Sequence, residues 1–288
     1  MMAGEDDVTA TAGRGDDARD DVTVESQKSY ATILQQEIQE GLDELERPAR
    51  GLLLSGFSAG LDVGFSLLAI GVVGTLVGEG ASELTRALLR ANAYALGFTL
   101  VIFGRSELFT EHSTIAVLPL LGRRTTVARV ARVWGLVYAG NLVGVLVFST
   151  VLAAAASGLG TIDPGVFRGE GARLVGPDGW IQVISGVLAG WLIGLVSWLV
   201  TAGRETTSQI LFVWIIVGLI GLAGLHHCVL GTAEVLSAVF AGGEISLSDF
   251  ARFFVCTTLG NVIGGFFFVA VVKYGHASVI RPGLRDWD

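Results

Sequence analysis

Arg105, Glu107, Glu111 and His112 fall within eight residues of one another inside an otherwise apolar stretch, and His226 and His227 interrupt another. These side chains carry fixed charge or exchange protons near neutrality, imidazole above all. An ordinary membrane helix does not hold such a set at its middle. A broken helix lining a cavity can, because irregular backbone at membrane depth is tolerated only inside protein or beside water. The expected chemistry is therefore attraction, hydrogen bonding and protonation of a small solute, with the two breaks as the place where it occurs.

The elements that must position these residues are repeated. Ser55–Phe65 and Ser185 to Leu195 share glycines at Gly56, Gly60 and Gly64 and at Gly186, Gly190 and Gly194. Tyr138 to Gly144 matches Thr258 to Gly264, with Asn141 and Asn261 at the same place. Stepping back 34 residues from each asparagine lands on Glu107 and on His227, the two breaks. Six apolar segments are long enough to cross a bilayer, at about 51–77, 87–120, 130–157, 179–202, 208–242 and 250–273. Three per half is an odd number, so the second copy enters the membrane inverted, and the solute path lies between the halves. The expected fold is an all-α integral membrane protein of six transmembrane helices, with helices 2 and 5 broken.

Composition agrees. The chain has 288 residues, 51% of them hydrophobic, with 40 glycines, and a mean hydropathy of +0.63. A soluble enzyme or a nucleic-acid binder is excluded on that ground. Residues 1–46 hold 13 of the 27 acids. Residues 1–29 read as a disordered acidic tail, and 30–49 as a cytoplasmic amphipathic helix with Leu34, Ile38, Leu42 and Leu45 opposite acids. The units expected beyond it are a first three-helix repeat at 50–157, an extracytoplasmic loop at 158–178, a second repeat at 179–275 and a cytoplasmic tail at 276–288. No basic start followed by an apolar core marks a cleaved signal. Ten basic residues on one set of flanks against five on the other put both termini in the cytoplasm of a multi-pass plasma or inner membrane protein. Cys228 and Cys256 read as small core residues.

The motifs resemble the formate/nitrite transporter family. Its first broken helix is matched by Ser106-Glu107-Leu108-Phe109-Thr110, its third span by Val137 to Gly144, its sixth by Gly260 to Gly265, and its second break by Gly224-Leu225-His226-His227. The resemblance runs from about 50 to 275. It implies an aquaporin-like protomer assembled as a homopentamer, each protomer carrying its own pore for small weak-acid anions such as formate or nitrite. On this likeness His227 is the central pore histidine and Thr110 the polar residue of the first break. Leu108, Phe109 and Phe98 would form the inner constriction, and Tyr94 and Ile220 the outer one. The chain departs from the family at Arg105 (usually glycine), at Gly190 and Gly231 (usually or often asparagine), and in having His226, Asp62 and Glu234. These departures resemble its YfdC-like branch.

His227 is expected to donate a proton or hydrogen bond to the anion, sparing it the desolvation cost of crossing bare. His226 is a second imidazole at the same place. Arg105 selects anions as a fixed charge or pairs with Asp62 or Glu107; the need of buried charges for partners favours pairing. Glu107 is expected to accept backbone N–H groups at its break, with Glu111 and His112 as local supports. Asn141 and Asn261 are expected to hydrogen-bond between helices. Glu234 is a proton relay, a vestibule lining or an interprotomer contact. The expected partners are membrane lipid, further copies of the chain and the anion, with no enzyme activity, cofactor, metal or nucleic acid. An aquaporin would need Asn-Pro-Ala at each break, and neither break has it. A cation-coupled transporter using Asp62 and Glu234 leaves the matched motifs unexplained. An intramembrane metalloenzyme on Glu107, His112, His226 and His227 lacks an HExxH motif. The remaining alternatives are a non-conducting structural or sensing descendant of the same fold and a transporter of a different small solute.

Overall fold

The computed structural model describes residues 27–78 and 80–280, and among these every regular element is helical. An amphipathic helix α1 (Tyr30–Glu46) leads into the long apolar α2 (Ala49–Val77). Next come α3 (Glu83–Gly104), the short α4 (Phe109–Ile115) and α5 (Leu118–Leu121), and the long α6 (Val127–Leu159). The second half has α7 (Pro164–Val175), α8 (Gly179–Ala202), α9 (Thr206–Leu222), α10 (Cys228–Phe240) and α11 (Leu247–Ile263). A π-helical stretch (Gly264–Val271) carries α11 on into α12 (Val272–Ile280). Among the described residues, five helices are long and apolar enough to cross a membrane: α2, α3, α6, α8 and the run Leu247–His276. The shorter apolar helices α9 and α10 are parted by a break, as α3 and α4 are.

Paired glycine stripes set the closest approaches. A Cβ on Gly60 of α2 would stand 2.9 Å from the Gly144 Cα of α6, and one on Gly260 of α11 2.9 Å from the Gly186 Cα of α8. Neither pair of backbones could come so close with any other residue, as small-residue packing in membranes requires. The same logic accounts for Gly190: a Cβ there would lie 2.6 Å from the Asn261 Cα. The outward faces of α2, α6, α8, α9 and α11 expose Leu54, Val151, Ile184, Ile215 and Val255, an apolar surface suited to lipid or to a neighbouring copy.

The matched segments also meet. Tyr138 Oη and Thr258 Oγ1, at equivalent places 120 residues apart, lie 2.6 Å from each other.

Helix α1 starts at the Ser29 N-cap, whose hydroxyl accepts from the Thr32 N–H. Its buried face holds Ile33, Leu34, Gly41 and Leu45 but also Glu37 and Glu44, so these two acids do not lie opposite the apolar stripe as expected. Glu37 accepts from Ser197 Oγ at 2.8 Å and Thr201 Oγ1 at 2.5 Å. Tyr30 Oη donates to the Lys273 carbonyl and Lys28 Nζ to the Thr201 carbonyl. Polar anchors therefore fasten α1 across α8 and α12. The expected tail at 1–29 lies outside the described residues up to 26, as do residues 281–288 of the C-terminal tail. The segment 158–178 contains a helix, α7, rather than loop throughout.

Candidate functional site

Each break is held by one asparagine from a neighbouring helix. Asn141 Oδ1 accepts from the Phe109 N–H at 2.8 Å, and its Nδ2 donates to the Gly56 and Glu107 carbonyls. Asn261 Oδ1 accepts from the Cys228 N–H at 2.8 Å, and its Nδ2 donates to the Gly186 and His226 carbonyls. The backbone groups freed by each break are thus recaptured by a buried side chain, which leaving them unpaired in an apolar interior would demand. The Glu107 carboxylate, expected to accept these N–H groups, instead meets Arg47. The bonding also shifts the repeat by one residue: Glu107 corresponds to His226, and Leu108, the residue preceding α4, to His227, the residue preceding α10.

The two breaks join at one polar contact. His227 Nε2 and Thr110 Oγ1 are 2.8 Å apart, both residues fully buried. His227 Nδ1 accepts from the Leu230 N–H at 3.2 Å. That nitrogen is therefore the unprotonated one, and Nε2–H donates to the threonine. Phe98 sets its ring edge-to-face against His227 at 4.9 Å, and Tyr94 stacks on Phe98 at 5.6 Å. Leu108 and Ile220 are buried in the same apolar core. Phe109 stacks on Tyr138 at 4.2 Å. Of the sequence-derived pore set, the file Tyr94, Phe98, His227, Thr110 is joined by direct contacts.

His226 turns away. Its Nε2 lies 3.0 Å from the Leu174 carbonyl and its Nδ1 2.8 Å from Ser185 Oγ, so it binds α7 and α8. The backbone at His227 is extended, and in extended chain adjacent side chains point to opposite sides. The pair of histidines is therefore not one site.

Arg105 pairs with neither Asp62 nor Glu107 among the described residues. It ends α3 in the left-handed conformation (φ 53°), the conformation that glycine adopts without cost, and its exposed side chain lines a cavity. Asp62 accepts instead from Ser106 Oγ at 3.0 Å. The cavity, of about 810 Å³, lies between α1 and the first break. Its walls carry six carboxylates, Glu37, Glu40, Asp43, Glu44, Glu107 and Glu111, against Lys28, Arg47 and Arg105. Burial pushes the Glu37 carboxyl up to about 7 and raises Glu40 as well. Against His112 stands Glu44 of α1, so this histidine supports the contact between α1 and α4. Glu111 sits in the first turn of α4, as expected.

The second break has a network of charges from α3, α7 and α10. Arg90 binds Glu170 at 2.8 Å, Glu234 at 3.3 Å and the Gly221 carbonyl at 2.8 Å. Arg173 binds Glu170 at 3.0 Å and the Gly224 carbonyl at 3.2 Å. The two guanidinium groups hold the Glu170 carboxyl below its ordinary range against the opposing effect of burial. Glu234 belongs to this network. Alternating charge along α7 and the start of α3 was the only available signal, and it does not reveal partners 80 or 144 residues away.

The sequence profile described as Formate/nitrite transporter matches residues 31–275. The chain belongs to the formate/nitrite transporter family. Within this family of channels and transporters it stands with the YfdC-like branch. It is 35% identical over 250 residues to the Inner membrane protein YfdC of Escherichia coli (strain K12), covering 84% of this chain and 76% of that one. It is 26% identical over 245 residues to the Formate channel BtFdhC of Bacillus thuringiensis, covering 82% and 91%. Among solved structures, an FNT family ion channel superposes with a TM-score of 0.77 at 21% identity, over 86% of this chain and 99% of that one. A pentameric formate channel with formate bound gives 0.68 at 22% identity, over 80% and 97%. Members of the formate/nitrite transporter family move solutes rather than catalyse reactions.

Proposed function

We propose that the chain forms a pore for a small monovalent weak-acid anion, formate or nitrite in class, in an inner membrane. Six crossings in two inverted sets of three would place the path between the breaks, with both termini cytoplasmic. The bond between Tyr138 and Thr258 and the matching bonds of Asn141 and Asn261 support this symmetry. A homopentamer with one pore per protomer is the corresponding assembly, supported by the apolar outer faces and by the description of one structural relative as pentameric.

The observation that carries the reading is the contact of His227 Nε2 with Thr110 Oγ1 inside an apolar file. A bare anion entering such a file loses its water and gains little in return. The protonated acid crosses at far lower cost, and a single N–H donor at the middle serves the carbonyl oxygen of a carboxylic acid or the N=O oxygen of nitrous acid. His227 supplies that donor while its other nitrogen is engaged by Leu230. Phe98, Leu108, Tyr94 and Ile220 exclude water on either side. The amides of Cys228 and Leu230 at the start of α10 are already bonded, so selectivity rests on the side chains rather than on the helix end.

The test is flux into liposomes with formate, nitrite, acetate, lactate, hydrosulfide, chloride and glycerol at pH 5.5 and 7.5. Uptake of one weak acid should be at least tenfold faster at the lower pH, and chloride and glycerol should stay at the empty-liposome rate. His227→Ala should lower the weak-acid flux at least tenfold, while His227→Asn, which keeps an N–H donor, should retain more of it. Wild-type flux that both variants leave intact at both pH values would refute the role of His227. No flux of any solute from folded oligomer would refute the transport reading.

A further inference from the structure

The strongest unexplained group lies outside the file, where α1 meets the first break. Glu44 of α1, Glu107 of the break and His112 of α4 are all buried, and one ligand atom from each lies within 4.8 Å of the others. His112 Nδ1 is 3.1 Å from the Leu108 carbonyl. A carbonyl only accepts, so Nδ1 carries the proton, and Nε2 is left facing Glu44 Oε1. In the neutral ring two acceptors then face each other, an arrangement relieved by a proton on Nε2 or by a cation that both atoms, drawn apart, would coordinate.

A proton on Nε2 would satisfy that one contact and nothing more. Glu44 Oε2 and Glu107 Oε2 are both buried, and neither has a hydrogen-bond partner among the described residues. Such orphaned carboxylate oxygens are costly. A divalent ion among the three side chains would engage all of them. An imidazole whose Nδ1–H is fixed on a backbone carbonyl is also the usual posture of a metal-binding histidine. Arg47 holds the other Glu107 oxygen from a half-exposed position at the rim, so it neutralises without filling the centre. The acidic cavity next to the cluster would raise the local concentration of a cation.

We propose that Glu44, Glu107 and His112 bind a divalent first-row transition metal, which fastens α1 to the first break. One nitrogen and two carboxylates suit Zn²⁺ or Mn²⁺ and are a poor match for Mg²⁺, which keeps its water. The site is independent of which anion crosses, and of whether one does.

The test uses the full chain in nanodiscs after EDTA treatment, with Zn²⁺ titrated against a chromophoric chelator. One saturable site per chain is expected, unaffected by millimolar Mg²⁺. Glu44→Gln and His112→Gln should each weaken it at least tenfold, and Glu40→Gln, on the same cavity wall, less than twofold. Zn²⁺ should slow amide exchange in residues 34–45 of the wild type and not of His112→Gln. Glu44 lies on a helix outside the spans, and variants are compared only where their elution matches the wild type. Absence of saturable binding overturns the proposal. So does equal Zn²⁺ affinity in wild type and His112→Gln, or a loss in Glu40→Gln as large as in Glu44→Gln, which would mean diffuse attraction to an acidic surface.

Discussion

The two breaks share a scaffold and differ in everything laid over it. In each, an asparagine captures one amide and two carbonyls, and a glycine stripe brings its helix close enough to do so. Over the first break lies α1, which carries Glu37, Glu40, Asp43, Glu44 and Glu46. Over the second lies α7, with Arg168 and Arg173 against Glu170. The first break is fastened by Arg47 to Glu107 and by His112 to Glu44, beside an acidic cavity. The second is fastened by two arginines bound to both its carbonyls and its carboxylates. The lesson is that the backbone problem of a broken helix has one solution here, repeated, whereas the charge around it is set separately at each site.

The largest effect should come from breaking the charged networks. Arg90→Met removes the partner of Glu170, Glu234 and the Gly221 carbonyl together, and should cost about 4 kcal/mol. Arg47→Met removes one pair at a half-exposed residue and should cost about 1 kcal/mol. Denaturant unfolding in detergent measures both, and equal losses would erase the contrast between the breaks. Next, Asn141→Ala and Asn261→Ala each orphan one buried amide and one buried carbonyl at a break and should each cost about 3 kcal/mol. A difference above ~1 kcal/mol would show that the shared scaffold is not energetically shared.

Smaller effects test the approach of the helices. Gly60→Ala and Gly260→Ala should each cost about 2 kcal/mol through overpacking, while Gly135→Ala, with open space around it, should change stability by less than ~1 kcal/mol. The smallest effect concerns α1 alone. Because Glu37 in the folded chain holds its proton up to about pH 7 and an unfolded one only to about 4.5, its contribution is whole below the lower value and lost as pH rises through the upper one. The protection of residues 34–45 against amide exchange, taken relative to the intrinsic exchange rate at each pH, should therefore be greater at pH 5 than at pH 7.5, and Glu37→Gln should flatten that dependence.

Much of this was legible in the residues. The glycine stripes and the paired asparagines pointed to a repeated helical unit because helix contact and backbone capture each demand a fixed residue type. The breaks were visible because charge inside an apolar run has few physical solutions. The motifs from Ser106 to Thr110 and around His227 pointed to the family. What misled was local inference about partners. Glu37 and Glu44 looked like a solvated face but are buried, because hydroxyls of α8 and the imidazole of His112 meet them there. His226 looked like a companion of His227 but faces α7, because one step along extended backbone reverses direction. Arg105 looked like a partner for buried acids, and Arg47, 60 residues from Glu107, took that place.

The sequence by itself determined the membrane class, the two breaks and the family, since all of these follow from hydropathy, spacing and residue type along one line. Only the tertiary structure decided which charges pair, which nitrogen of His227 carries its proton, and that Glu44 joins Glu107 and His112. Those outcomes depend on distances between helices far apart in the chain. Hydrogen bonds and ion pairs act over about 3–4 Å, a scale at which sequence separation carries no information.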